Sequence, residues 1–122
     1  MEDKERRVWA IRGAITLDKD DRDEMDKRVG EMLDALYSEN GINEEDVVFT
    51  LLSQTSDLRT KNAAASARKN GYSTHTPLFC VQEAEIDGML PMTVRVLVEV
   101  EKKMEKEPKM VYLRGAASLR PD

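Results

Sequence analysis

Arg12 and Arg95 each interrupt a run that is otherwise apolar and rich in β-formers: Val8-Trp9-Ala10-Ile11 before Arg12, and Val94 then Val96-Leu97-Val98 around Arg95. Arg120 follows directly on the last such run. A guanidinium is a planar fork that matches a carboxylate bidentately, and an unpaired one among apolar neighbours is costly. Two readings compete. One is an internal ion pair with Glu83, Glu85 or Glu99; the other is a pocket for a small organic acid. Two such arginines in separate strands, with more at loop edges, favour the pocket.

Other chemical machinery is sparse. His75 is the only histidine and lies in a polar stretch, where it reads as an exposed bystander. Cys80 is the only cysteine, which excludes an intramolecular disulfide and a cysteine-based zinc site. Its apolar strand makes it core rather than nucleophile. There is no glycine-rich phosphate loop, no H-E-x-x-H and no dinucleotide fingerprint. If the chain is an enzyme, its reaction should need positioning and electrostatics more than a nucleophile or an acid–base relay, as a pericyclic rearrangement does.

Composition narrows the partners. The 122 residues carry 19 Lys and Arg against 24 Asp and Glu, a formal net charge of −5. An acidic chain without a basic run is poorly suited to nucleic acid, whose phosphates must be neutralised. No apolar run approaches the roughly 18 residues of a membrane helix, and the first seven residues are almost wholly charged, unlike a signal peptide. The expectation is a cytoplasmic protein with no membrane association.

The elements that must position the arginines read as follows. Residues 8–15 form a strand buried on both faces. Met25, Val29, Met32, Leu33 and Leu36 fall on one face of a helix, with Asp21 and Glu24 imitating a capping box and Asn40-Gly41 as its stop. Residues 47–52 are a second buried strand, followed by a polar stretch at 53–57. Residues 62–69 are Ala-rich and helical, and residues 78–84 a third strand. A fourth at 92–100 alternates Val94, Val96, Val98 and Val100 with other residues, the period of a strand with two distinct faces. A charged connector at 101–109 leads to a fifth strand at 110–117. The sum is one small α/β (mixed α+β) domain over residues 1–122, with 1–7 a charged, flexible extension. It has a mixed five-stranded sheet with two main helices on one face. The other face lacks cover, and self-association is the economical remedy.

Several stretches together resemble the AroH class of monofunctional chorismate mutases. They are Ile11-Arg12-Gly13-Ala14, Cys80-Val81-Gln82-Glu83, Val94-Arg95-Val96, Val111-Tyr112-Leu113 and Leu119-Arg120-Pro121-Asp122. Their order and near-regular spacing run from about Val8 to the C-terminus. The resemblance implies a homotrimer whose sheets form a pseudo-α/β barrel, with sites in clefts between adjacent subunits. It implies a cofactor-free Claisen rearrangement of chorismate to prephenate. By the same resemblance Arg95 donates to the ether oxygen and to a substrate carboxylate, and Arg12 and Tyr112 grip the enolpyruvyl carboxylate. Glu83, supplied across a subunit boundary, and the region of Cys80 meet the ring hydroxyl. Arg68 and Arg120 lie near the cleft mouth, Leu119 is an apolar wall, and Phe79 stands where a small residue is usual. The family's F-P-A-x-A-x-R stretch reads Asn62-Ala63-Ala64-Ala65-Ser66-Ala67-Arg68 here, without the aromatic and the Pro. The alternatives are a non-catalytic trimer that binds a small carboxylate, and a deaminase-like trimer acting on imines or enamines.

Overall fold

The computed structural model describes residues 6–119. Its elements are β1 (Arg6–Thr16), α1 (Arg22–Asn40), a 3₁₀ turn (Glu44–Asp46), β2 (Val47–Gln54), α2 (Ala63–Lys69), β3 (Leu78–Gln82), β4 (Thr93–Lys103), β5 (Val111–Leu113) and a second 3₁₀ turn (Arg114–Ser118). The strands form one mixed sheet in the order β3-β2-β4-β1-β5. β4 runs antiparallel to both β1 and β2, while the outer pairs β1–β5 and β2–β3 are parallel.

Local chemistry explains α1. Asp21 is extended and its carboxylate accepts the Glu24 N–H at 3.0 Å, satisfying one orphan donor of the first turn. Glu24 does not return the favour to Asp21; its carboxylate takes the N–H of Asp18 instead, so only half of the expected box forms. Gly41 ends the helix at φ 60°, a conformation that only glycine adopts cheaply. The stripe of Met25, Val29, Met32, Leu33 and Leu36 is almost wholly buried, each side chain worth about 1.5–3 kcal/mol when removed from water. Gly13 lets the helix in: a Cβ there would sit 3.2 Å from a Val96 methyl and 3.3 Å from a Leu36 methyl.

Both helices pack on the side of the sheet that carries Ile11, Ile15, Leu52, Val94, Val96 and Val98. A polar seam joins them. Asp26 of α1 receives Lys61 (2.5 Å) and Ser66 (2.7 Å) on one oxygen and Lys69 (2.9 Å) on the other. Burial opposes its ionisation, but these hydrogen bonds outweigh burial and hold the carboxyl well below the usual carboxylate range.

The structure corrects several sequence expectations. β1 is not buried on both faces: Val8, Ala10 and Arg12 are exposed, because no helix covers their side. Arg6 and Arg7 belong to β1 rather than to an extension, paired with Lys103 and Lys102, and the Arg7 guanidinium lies 3.9 Å over the Trp9 ring. Residues 1–5 of that extension lie outside the described residues. β2 runs on through Ser53 and Gln54, and β4 continues to Lys103 because it stays paired with β1. β3 ends at Gln82. β5 is three residues long, since Arg114 turns to φ 56° and starts the 3₁₀ turn. Among the described residues no helix is long and apolar enough to cross a membrane.

Candidate active site

Strand register brings the unusual side chains together. Residues paired across neighbouring strands project from the same side of a sheet. Ser53 pairs with Arg95, Arg95 with Ala14, and Ala14 with Tyr112, while Val81 pairs with Ser53. One transverse row therefore reads Val81, Ser53, Arg95, Ala14, Tyr112 on the face without helices. Arg12 pairs with Leu97 two residues along the strands, on the same face. Two strand spacings, roughly 10 Å, separate the main chains of Arg95 and Tyr112. Ala14 between them is a small floor, so long side chains on either side can reach one small guest.

The row has a built electrostatic centre. Glu83 lies just past β3, anchored by its N–H to the Gln54 carbonyl at 3.0 Å. Its Oε2 receives the Ser53 hydroxyl at 2.8 Å and lies 3.3 Å from Arg95 Nε. That Nε is buried and has no well-aligned hydrogen-bond acceptor. The Arg95 side chain is nonetheless 43% exposed and that of Glu83 only 15%, so the carboxylate is set and the guanidinium reaches outward. This pair forms within one chain; it does not need a Glu83 supplied across a boundary.

The other expected residues fall in different places. Tyr112 is half-buried in the row, and Arg12 is exposed with no side-chain partner among the described residues. Arg12 thus sits on an open surface rather than inside an apolar run. Phe79 is 68% exposed on the open face, paired with Leu51. Cys80 pairs with Leu52, a core residue, so its side chain turns to the helix side. Its thiol donates to Gln54 Oε1 at 3.3 Å, and burial pushes its pKa up, which argues against a nucleophile. Arg68 is exposed on α2, away from the row. Leu119 is half-buried at the end of the second 3₁₀ turn, and Arg120 lies outside the described residues. His75 is exposed in its loop.

Ser53 was hidden in the sequence, because a Ser-Gln pair after an apolar run reads as a loop. Counting by twos from Leu51 would have put it on the face of Arg95. A concavity of ≈ 360 Å³ beyond the end of β2 is lined by Asp57, Glu85 and Asp87, the wrong sign for an organic acid. No group of three or more His, Cys, Asp or Glu side chains among the described residues could hold a metal ion.

The chain is thus a small α+β domain with a five-stranded mixed sheet, helices on one side and a paired Arg95 and Glu83 on the other. Comparison with known proteins goes further: residues 8–122 match the family model for chorismate mutase type I, and the chain belongs to that family. It is 34% identical over 116 residues to the chorismate mutase AroH of Bacillus subtilis strain 168, covering 94% of this chain and 91% of that one. It is 33% identical over 117 residues to the chorismate mutase AroH of Thermus thermophilus, covering 94% and 95%. A solved chorismate mutase from Clostridium thermocellum superposes with a TM-score of 0.81 at 34% identity, covering 88% of this chain and 96% of that one.

Proposed function

We propose that this chain is a cytoplasmic chorismate mutase that rearranges chorismate to prephenate. In this reading it works as a homotrimer with a site in each cleft between subunits. The observation that carries the reading is the position of Arg95. It stands in a row with Ser53 and Tyr112, beside a carboxylate that is itself held in place.

Chorismate is a dianion, and its compact diaxial shape is rarely populated in water. Arg12 and Tyr112 would hold the enolpyruvyl carboxylate, so that the two reacting carbons meet without a search. As the C–O bond breaks ahead of C–C bonding, negative charge grows on the ether oxygen. The terminal N–H groups of Arg95 reach outward to that charge while Nε stays beside Glu83. Such a donor binds the transition state better than the ground state, which is what raises kcat. Glu83 has Oε2 engaged by Ser53 and Arg95, which leaves Oε1 to accept the ring hydroxyl. No proton need be shuttled and no covalent intermediate forms.

Support for the trimer comes from the uncovered face. Phe79 (68% exposed) and Val81 (42%) lie two residues apart on that face at the β3 end of the row, and Val8 (53%) is exposed further along β1; apolar side chains left open in this way suit a contact with another chain. Arg68, exposed on α2 and away from the row, would meet it from a neighbour, with Leu119 and Arg120 beside the same cleft. Mixing the protein with chorismate and following loss of the diene absorbance tests the activity, with multi-angle light scattering for the mass. Turnover by a particle of three chains is expected. Binding of chorismate without turnover would favour a non-catalytic carboxylate-binding trimer instead.

A further inference from the structure

We infer that Gln54 is a positioning residue for the mouth of the site: its side-chain amide fixes where α2, and therefore Arg68, begins. The consequence for catalysis rests on the chorismate mutase reading; the geometry does not. A carboxamide offers two N–H donors and two acceptor lone pairs, and here all four are used. Nε2 donates to the carbonyls of Leu58 (2.9 Å) and Lys61 (3.1 Å). Oε1 accepts the N–H of Ala63 (2.8 Å) and the thiol of Cys80 (3.3 Å). Two of these partners lie in the irregular stretch that leads into α2, the third is the first residue of α2 itself, and the fourth sits on β3, two residues before the strand ends. One side chain thus ties the loop, the start of α2 and the strand leading to Glu83 to the end of β2, beside Ser53.

The bond to Ala63 is the informative one. Ala63 is the first residue of α2, where the N–H has no intrahelical partner. Proline is favoured at that position because the missing donor costs nothing and the fixed φ stiffens the entrance. The family stretch has proline there, and the backbone here would accept it: Asn62 is extended at φ −79°, ψ 127°, as a residue before proline must be. This chain instead leaves a free N–H at Ala63 and supplies Gln54 to receive it. A hydrogen-bonded clamp does the stiffening that a ring would otherwise do. Ser66, Lys61 and Lys69 on Asp26 then hold the rest of the short helix that carries Arg68.

Gln54→Leu keeps the shape and removes all four bonds. The expected result is a KM for chorismate raised about 5- to 20-fold, kcat within twofold of wild type, and a Cys80 thiol that reacts several-fold faster with an aromatic disulfide reagent. Adding Ala63→Pro to that variant should return KM to within threefold of wild type, whereas Ala63→Pro alone brings no gain. If Gln54→Leu does not fold, Gln54→Glu keeps both accepted bonds, sets an oxygen against the two carbonyls, and should give the same split in weaker form. An unchanged KM, or a fall in kcat with KM unchanged, overturns the proposal. Should the wild-type protein fail to turn over chorismate, only the functional reading falls. The thiol rate then decides: faster in the variant supports the clamp, and equal rates refute it.

Discussion

The two faces of the sheet are built from alternate residues of the same strands, yet they are designed for different ends. Toward the helices β4 presents Val94, Val96, Val98 and Val100, all nearly inaccessible. Toward the open side the same strand presents Arg95, Leu97 and Glu99, each half-buried. The covered face is filled, closely packed and self-sufficient. The open face keeps charge, an exposed phenylalanine and a small floor at Ala14. Stability and chemistry are thereby separated by direction rather than by distance, and substitutions one residue apart should have different consequences.

The largest effect should follow from Arg95→Ala. Loss of a donor at the developing charge is expected to lower kcat by about 10²–10³, while the thermal midpoint and the assembly stay as in wild type. A diene-absorbance assay beside a melting curve reads both, and near-wild-type turnover would erase the functional distinction between the faces. The converse change is Leu36→Ala on the covered side, next to Gly13. It should cost about 2–5 kcal/mol in urea unfolding while leaving the kcat of the remaining folded protein within a few-fold.

A smaller effect is expected at the seam between the helices. Asp26→Asn should cost about 2 kcal/mol at neutral pH, the scale of hydrogen bonds to a charged group. Asp26 is more acidic in the folded chain than in the unfolded one, so its contribution is complete above the ordinary carboxylate value of 3.8. It is lost progressively as pH falls below that value. Urea midpoints of the two proteins should therefore converge in acid, and a constant gap would refute the assignment. The smallest change in subunit stability should come from Phe79→Ser. Being exposed, it should leave the fold of one chain within about 0.5 kcal/mol, yet shift sedimentation toward smaller species at low protein concentration. If the mass holds at every dilution, Phe79 is not part of the contact.

Much of this was legible before any coordinates. The 3.6-residue stripe of α1 and the alternation of β4 were plain because each repeats over several turns or residue pairs. Arg12 and Arg95 stood out for being charged in apolar runs. What was illegible depended on neighbours. β1 looked buried on both sides because Val8 and Ala10 are apolar, and nothing local says which side a helix will cover. Cys80 sits in a short apolar strand without alternation, so its facing toward Gln54 had no sequence signal. Ser53 and Gln54 resemble turn residues and became strand only by pairing with β4 and β3. The end of β4 resembled a solvated connector for the same reason: its pairing with β1 is non-local.

Because the row of Ser53, Arg95, Ala14 and Tyr112 is assembled from four strands, its alignment is inherited from the packing beneath it. Slipping β4 by a single position would turn four valines out to water, at about 1.5–3 kcal/mol each, and drive Arg95 into the oil. Misassembled reactive groups are thus never a mild defect that a population of molecules could carry. The greasy underside proofreads the working surface, and a chain that folds at all has its guanidinium in line.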